Sequence, residues 1–379
     1  MRGRRDISNY RHSIDVYKLW RNIVVVISIL FGCCASNWKN DMILFVSGAT
    51  GGHLYPAIAM NEALNMSACV VVPRAEPAAT ILAPYQFDYH VIQWVVSQPW
   101  TWPKAIIKIM GIYMNKKPRL IIAMGGGICI PFGIVAWAMN IPILSFEQNA
   151  IPGRATRAIQ FIAKEIITAF ESTINGLVMK SKVKCLGNPV RTTYPSVDTF
   201  PGEWENVSGK TILIIGGSQG ARAINQFIDD YRQDLMVNGF HVIHLTGAHW
   251  SNETKSRSIE IYDEKYYFRF PYINNMRALY DKASVVLCRA GATTLAELSQ
   301  VSLPSILVPY PYAMDHHQEK NAIEFSAKNN SCVIKESELN FEKVCHALAT
   351  LDEGKRMCPP HNGEEINRMI CELVRSYLK

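Results

Sequence analysis

The stretch Ile212–Asn225, ILIIGGSQGARAIN, sets the fold of the second half of the chain, and the first half repeats its pattern. Its apolar start is typical of a strand buried on both faces, and the glycines after it indicate a tight turn that opens a helix. Backbone N–H groups at such a helix N-terminus bind phosphate, and Ser218 can donate a further hydrogen bond. Arg222 either reaches the same negative charge or is an ordinary surface residue of the helix.

The turn Thr50–His53, TGGH, follows the predicted strand Met42–Val46 and precedes the predicted helix Leu54–Leu64. We interpret it as a second phosphate loop; the alternative is a tight turn without a ligand. His53 is a candidate general base, because imidazole commonly has that role near neutral pH. The alternative for His53 is a side chain that only hydrogen-bonds backbone or phosphate.

A third glycine run, Gly125-Gly126-Gly127, ends the predicted strand Leu120–Met124. Two such loops in one half of the chain favour a diphosphate or a bulky anionic ligand there. The first loop has the pattern Gly48-x-x-Gly51-Gly52 and not the GxGxxG of dinucleotide-binding proteins, and no acidic residue ends the second strand. These features argue against a nicotinamide-dependent oxidoreductase.

Apolar strands alternate with helices along the whole chain, which predicts two α/β domains, each a doubly wound parallel sheet. We place an N-terminal extension at residues 1–41, the first domain at 42–186, the second at 187–355 and a closing C-terminal helix within 356–379. The segment Lys184–Arg191 is the predicted linker. Ligands are expected in the cleft between the domains, at the carboxyl ends of the strands.

The composition narrows the function classes. The chain has 379 residues, 49% hydrophobic and 19% charged, which indicates a large buried core and argues against disorder. Its formal net charge of +7 suits phosphate-rich ligands or an anionic membrane surface. The sequence has no dense Lys/Arg run of the kind that would indicate binding to nucleic acid. The ten cysteines form no CxxC pair, which argues against a zinc site or a redox motif. We predict neither a metal nor a cofactor.

Two segments of the second half carry further candidate ligand contacts. In Arg289–Glu297, Thr293 is a candidate helix cap, and Glu297 can accept hydrogen bonds from two ribose hydroxyls or act as a capping-box residue for Thr294. In Asp315–Gln318, adjacent histidines do not share a helix face, so a metal is disfavoured. The amide of Gln318 can read sugar hydroxyls.

The segment Gln93–Leu120 is rich in tryptophan and apolar residues beside lysines, which is typical of a surface that docks on a membrane. The alternative is a buried helix of the first domain. The predicted membrane patch comprises Trp94, Trp100, Trp102, Ile106 and Ile109.

The first 41 residues permit three interpretations. A basic stretch precedes the apolar run Ile23–Ala35, which is shorter than the roughly 20 residues of a membrane span. It resembles a signal peptide, and Leu30–Cys33 loosely resembles a lipoprotein cleavage site. We favour translation from Met42, at the start of the first strand. Mass spectrometry of the mature N-terminus tests this.

Taken together, these motifs resemble the MurG family of bacterial peptidoglycan glycosyltransferases. The matching blocks are Ala49–Pro56, Ile141–Gly153, Leu186–Arg191, Ile212–Asn225, Cys288–Glu297 and Asp315–Ala322. They run in order from Met42 almost to the end of the chain. The resemblance implies a GT-B fold: two Rossmann-like domains around a cleft. It also implies inverting, metal-independent transfer of N-acetylglucosamine from UDP-N-acetylglucosamine to the C4 hydroxyl of undecaprenyl-diphospho-N-acetylmuramoyl-pentapeptide, at the cytoplasmic face of the inner membrane.

The resemblance also implies roles for individual residues. Donor contacts fall on Asn149, Arg191, Ser218, Ile273, Ala292, Thr293, Thr294, Leu295, Ala296, Glu297 and Gln318, with Glu297 on the ribose and Gln318 on the sugar. The acceptor loops fall on Thr50, Gly51, Gly52, Gly125, Gly126 and Gly127, and His53 is the acceptor-side histidine. Two departures concern the acceptor: Ala49 stands where the family usually has glycine, and Ile128 where it often has tyrosine.

Three other functions remain as alternatives. A related lipid glycosyltransferase of the same fold, such as a diacylglycerol galactosyltransferase, would differ in its donor. A nicotinamide-dependent oxidoreductase would bind NADH. A catalytically inactive scaffold would release no UDP.

Overall fold

In this computed structural model, the structure describes residues 42–93, 102–194, 200–217, 219–247, 258–262, 264–351 and 363–378. The predictions for residues 1–41, Trp94, Trp100 and Ser218 lie outside these ranges. Two α/β domains are present, each built on a seven-stranded sheet. The predicted fold class is confirmed.

The first sheet is parallel throughout, because each strand is followed by a crossover that returns the chain to the same end. Its order is β3-β2-β1-β4-β5-β6-β7. The strands are β1 (Ile43–Ser47), β2 (Ala68–Val72), β3 (Tyr89–Val91), β4 (Leu120–Gly125), β5 (Ile143–Glu147), β6 (Glu165–Thr168) and β7 (Val183–Cys185). The helices are α1 (Gly51–Leu64), α2 (Ala78–Leu82), α3 (Trp102–Lys116), α4 (Cys129–Ala138) and α5 (Arg154–Ile159).

The second sheet repeats this arrangement with the order β10-β11-β9-β8-β12-β13-β14. Its strands are β8 (Thr211–Ile215), β9 (His241–Leu245), β10 (Ser258–Tyr262), β11 (Lys265–Phe270), β12 (Val285–Cys288), β13 (Ser305–Leu307) and β14 (Ser331–Val333). The helices are α6 (Arg222–Val237), α7 (Met276–Lys282), α8 (Ala292–Val301), α9 (His317–Ser326), α10 (Phe341–Thr350) and α11 (Gly363–Ser376). Only the edge pair β10–β11 is antiparallel among the described strands.

Apolar cores cover both faces of each sheet, which is why the central strands are continuous apolar runs. The C-terminal helix α11 belongs to the core of the first domain. Its residues Ile370 and Val374 are buried beside α1, and Arg375 donates to the carbonyl of Leu64. The chain therefore returns to the first domain after completing the second.

Helix α3 corrects part of the predicted membrane patch. Ile106 and Ile109 are only 4% and 0% exposed and pack in the core of the first domain, so their assignment to a surface patch is wrong. Ile107, on the outer face of the same helix, is 70% exposed. Trp102 is half-buried at the helix start. Within the described residues, no helix combines the length and apolarity that crossing a membrane requires.

Candidate active site

A cleft of about 820 Å³ lies between the domains. The first domain contributes the start of α1 and Tyr55, and the linker contributes Arg191. The second domain contributes the loop after β8, the starts of α6 and α8, and residues around Ile273 and Gln318. Parallel sheets with this topology present their loops and helix N-termini at one edge, which explains why the segments meet.

The cleft brings together most of the predicted donor residues but only two of the predicted acceptor-loop residues. Its lining includes Gly51, Gly52, Arg191, Ile273, Ala292, Thr293, Thr294, Glu297 and Gln318. Thr50, His53, Gly125, Gly126, Gly127, Asn149, Leu295 and Ala296 are absent from this lining. Leu295 is 1% exposed and packs in the core of the second domain, so its side chain cannot contact a donor.

Three helix N-termini face the cleft: those of α1, α6 and α8. In the described structure none has a side-chain hydrogen bond to its cap, and the cap residues are Thr50, Ala221 and Gly291. The predicted cap role of Thr293 is therefore wrong, since this residue lies within α8. The first N–H groups of a helix lack partners inside it and carry partial positive charge. Together the three ends suit a ligand with several phosphates.

The His53 imidazole is held in one orientation beside the first-domain loops. Its Nδ1 lies 3.2 Å from Oε1 of Gln148, and the Gln148 amide donates to the carbonyl of Met124 at 2.9 Å. Since the amide nitrogen is committed to that carbonyl, Oε1 must accept, and Nδ1 must carry the proton. The Nε2 lone pair of His53 is then available to accept a proton.

Two glycines make room for this ring. A Cβ on Gly48 would lie 2.7 Å from His53 Cδ2, and one on Gly125 would lie 2.7 Å from His53 Cε1. Gly125 also has a φ of +109°, a backbone conformation that is strained for residues with a Cβ and that glycine adopts readily. Gly126 packs against the backbone of Gly48. Gly48 and Gly125 are therefore needed to make room for the His53 ring, a reason separate from phosphate binding.

Close backbone packing shapes the glycine-rich loop after β8. Gly220 has a φ of +85°, and a Cβ there would lie 2.6 Å from the carbonyl oxygen of Thr246. The Asn225 amide donates to the same carbonyl at 2.8 Å, and its Oδ1 lies 3.1 Å from Nε2 of His244. The glycine-rich loop is thus connected to the buried interior of the second domain.

His244 is the buried end of this network, and we expect it to make stability depend on pH. Burial, and then Arg269 and Arg232, lowers its pKa from the ordinary 6.5 to about 3. As pH falls below about 6.5, the unfolded chain takes up a proton that the folded chain refuses. The contribution to stability present above that pH is therefore lost, at about 1.4 kcal/mol per pH unit down to pH about 3.

Urea denaturation of wild type and His244→Gln between pH 7 and 5 measures this dependence. The variant should be less stable at pH 7 but lose less of its free energy of unfolding on acidification. The control is His346→Gln, which changes an exposed histidine on α10. Equal slopes for wild type and His244→Gln would refute the assignment.

The Glu297 carboxylate is buried between two donors. Oε1 accepts from Nη2 of Arg191 at 2.8 Å, and Oε2 accepts from the hydroxyl of Tyr280 at 2.9 Å. Burial, followed by Glu297, raises the pKa of Tyr280 well above its ordinary value, so the phenol stays protonated and donates. The alternative capping-box role of Glu297 is wrong, because neither oxygen bonds the start of α8. Each oxygen still has a lone pair for a ribose hydroxyl.

Arg191 connects Glu297 to the first domain. Its Nη1 donates to the hydroxyl of Tyr85 at 2.7 Å, and its guanidinium lies 4.1 Å from the ring centre of Tyr55. Asn367 of α11 accepts from Val190 N and donates to Val190 O, which fixes the backbone beside Arg191. Sequence motifs identified Arg191 but not Tyr85 and Tyr55, which lie more than 100 residues away along the chain.

Direct contacts join the two domains at the cleft. The hydroxyl of Tyr55 hydrogen-bonds that of Tyr272, and the Thr293 hydroxyl donates to the carbonyl of Gly52 at 3.3 Å. The sequence motifs did not point to Tyr55 itself, although it lies only two positions after the candidate residue His53. Helix α1 thus contacts the start of α8 directly.

Asn149 is positioned between the domains as well. Its Nδ2 donates to Glu147 at 3.2 Å, and its Oδ1 accepts from Asn321 of α9 at 3.1 Å. Asn321 in turn accepts from the backbone N–H of Ala150 at 2.8 Å. These bonds fix the segment after β5 against the second domain. Sequence motifs had not singled out Asn321.

Gln318, in the lining of the cleft, has a defined amide orientation. Its Oε1 accepts from the backbone N–H of Tyr310 at 3.0 Å, which leaves the Nε2 hydrogens for a ligand. The two residues before α9, Asp315 and His316, have φ values of +52° and +54°. Consecutive left-handed residues other than glycine are strained and tend to occur at functional sites.

A separate group of potential metal ligands lies at the opposite end of the first sheet. Cys69, Asp88 and His90 have donor atoms within 4.8 Å of one another. The ammonium group of Lys116 lies 2.7 Å from Asp88 and places a positive charge there. This charge opposes the binding of a cation, and we assign no metal to the group.

Comparison with known proteins agrees with this geometry. The model of the glycosyltransferase family 28 N-terminal domain matches residues 43–168, and that of its C-terminal domain matches residues 211–365. The solved structure of MurG from Acinetobacter baumannii superposes with a TM-score of 0.65 at 22% identity, covering 88% of this chain and 99% of that one. This likeness shows the fold.

Two curated relatives carry the name UDP-N-acetylglucosamine--N-acetylmuramyl-(pentapeptide) pyrophosphoryl-undecaprenol N-acetylglucosamine transferase. The protein from Psychrobacter arcticus is 29% identical over 355 residues, covering 89% of this chain and 98% of its own length. That from Hydrogenovibrio crunogenus is 31% identical over 359 residues, covering 88% and 97%. The chain therefore belongs to the MurG family of glycosyltransferases.

Proposed function

We propose that this chain transfers N-acetylglucosamine from UDP-N-acetylglucosamine to the C4 hydroxyl of undecaprenyl-diphospho-N-acetylmuramoyl-pentapeptide. The observation that carries the proposal is the meeting of three uncapped helix N-termini in one cleft. Two of them, at α6 and α8, suit the diphosphate of a sugar nucleotide. The third, at α1, suits the diphosphate of a lipid-linked acceptor.

The donor runs along the second-domain side of the cleft in this proposal. The nucleoside lies between Ile273 and Glu297, whose carboxylate accepts from ribose hydroxyls. The diphosphate lies at the starts of α6 and α8, and the sugar reaches the free amide hydrogens of Gln318. Helix N-termini stabilise the negative charge that develops on the departing UDP.

The acceptor is activated from the first domain. The Nε2 lone pair of His53 removes the proton of the C4 hydroxyl as its oxygen attacks the anomeric carbon of the donor. The bond from that carbon to the UDP oxygen breaks in the same displacement, which inverts the anomeric configuration. The exposed hydroxyl of Thr50 and the N–H groups of α1 hold the acceptor diphosphate.

The outer face of α3 provides the docking surface for the membrane that contains the acceptor. It comprises Lys104, Ile107, Lys108, Gly111 and Met114, all exposed. Apolar residues beside lysines on a helix surface are typical of peripheral binding to anionic lipids. We propose that the chain binds the cytoplasmic face of the inner membrane through this face.

Replacing Ile107 and Met114 with serine should reduce binding to anionic phospholipid vesicles by about tenfold, because apolar area no longer enters the interface. Vesicle cosedimentation measures the effect. These side chains lie outside the core, so folding should be preserved. Val237→Ser, on an exposed position of the second domain, is the control. Undiminished binding by the double variant would rule out this face.

The decisive experiment measures UDP release from UDP-N-acetylglucosamine with and without the lipid-linked muramoyl-pentapeptide. Release that requires this acceptor supports the proposal. Release with diacylglycerol in its place would indicate a different lipid glycosyltransferase, and no release with any acceptor would indicate an inactive scaffold.

A further inference from the structure

Tyr312 is the most exposed large apolar side chain among the described residues, at 80%, and it lines the donor cleft. An aromatic ring left in water at the rim of a ligand site loses burial that most tyrosines gain. The need to hydrate the Tyr312 hydroxyl does not explain why the residue lies in the cleft, because a hydroxyl can be hydrated anywhere on the surface. The ring is therefore placed to be covered by a ligand.

Contacts of Tyr310 and Arg289 fix the position of Tyr312. Its ring packs edge-on against that of Tyr310, with centres 5.7 Å apart. The guanidinium of Arg289 lies 5.3 Å from the centre of the Tyr310 ring, donates to the carbonyls of Val308 and Pro309, and pairs with Glu336. Tyr312 is thus the outermost of these side chains, and its ring packs on Tyr310, which Arg289 contacts in turn.

The loop that carries Tyr312 also fixes Gln318, since the Tyr310 N–H holds the amide oxygen of that residue. Tyr310, Tyr312 and Gln318 all line the cleft. A ligand group at this end meets amide hydrogens on one side and an open aromatic face on another. A pyranose ring matches both, because it presents hydroxyls at its edge and C–H groups on its faces.

We propose that Tyr312 is a specificity-determining residue that covers an apolar face of the transferred sugar while Gln318 reads its hydroxyls. This inference rests on the proposed function for the identity of the donor. In the proposed pose the uridine diphosphate part of the donor contacts Ile273 and the starts of α6 and α8, and not Tyr312. Tyr312 should therefore affect recognition of the sugar and leave recognition of UDP unchanged.

Isothermal titration calorimetry with UDP-N-acetylglucosamine and with UDP, in the absence of acceptor, tests this separation. Tyr312→Ala should weaken UDP-N-acetylglucosamine binding about fivefold and leave the Kd of UDP unchanged. Tyr312→Phe keeps the ring and should bind like wild type. Val237→Ala, a truncation at an exposed site away from the cleft, controls for general effects.

Several results would overturn the inference. Equal loss of UDP and UDP-N-acetylglucosamine binding by Tyr312→Ala would indicate a general disturbance of the cleft. A loss in Tyr312→Phe as large as in Tyr312→Ala would assign the effect to the hydroxyl. Unchanged binding by Tyr312→Ala would remove the residue from the sugar site while leaving the proposed function intact. A wild-type chain that fails to bind UDP-N-acetylglucosamine would refute the proposed function, and this inference with it.

Discussion

His53→Ala should lower kcat by about a hundredfold or more, because a positioned general base contributes at least that much to many proton transfers. The KM for UDP-N-acetylglucosamine should change little, since His53 does not line the donor cleft. Steady-state UDP release with saturating acceptor measures both parameters. A change confined to the KM of the acceptor would give His53 a binding role instead.

Two variants make this test specific. Gln148→Ala removes the oxygen that holds Nδ1 of His53, so we expect a smaller fall in kcat than in His53→Ala, without loss of donor affinity. His346→Ala, at an exposed position on α10, should behave like wild type. If Gln148→Ala had no effect while His53→Ala did, the orientation of the ring would not matter for catalysis.

Arg191→Met should lower the free energy of unfolding by about 3–5 kcal/mol, because it leaves the Glu297 carboxylate buried without its cation. Both side chains are nearly inaccessible, so solvent compensates only poorly for the lost partner. The same variant should bind UDP weakly, since Glu297 loses its orientation. Urea denaturation and calorimetry measure the two effects.

The double variant Arg191→Met with Glu297→Gln separates charge from packing. A neutral amide costs less to bury than an unpaired carboxylate, so the double variant should be more stable than Arg191→Met alone. Arg277→Met is the matched control, because Arg277 pairs with Asp281 on the surface, where such pairs contribute little. A control that is destabilised as much as Arg191→Met would contradict the argument.

The local sequence was sufficient for the elements that define the fold. Ile212–Ile215 and Leu120–Met124 are continuous apolar runs followed by glycine, and both are strands of parallel sheets. The strand β6 has no such apolar run, because only two apolar residues lie between Glu165 and Thr168. The apolar positions of α3 were recognised, but composition alone did not separate its buried face, with Ile106 and Ile109, from the exposed one.

The candidate site was predicted where a motif carries its own geometry. Ile273, Glu297 and Gln318 line the cleft because each follows a strand at the same edge of the second sheet. Some contacts that complete the cleft come from distant segments: Arg191 lies 106 residues from Glu297, and Tyr55 lies 217 residues from Tyr272. No periodicity or spacing in one sequence specifies such pairs. The roles of Asn149, Leu295 and Ala296 at the donor stay predictions from the resemblance, apart from the buried Leu295 side chain.

The return of the C-terminal helix α11 to the first domain has a consequence for the order of folding during synthesis. Ile370 and Val374 complete a core whose members in the first sheet, from Ile43 to Ile167, are translated at least about 200 residues earlier. The first sheet therefore emerges from the ribosome long before its last packing partner, whereas the second sheet has all its strands once Val333 is made. We infer that the domain synthesised first is the last to reach its full stability, because part of its apolar surface stays uncovered until α11 has been made.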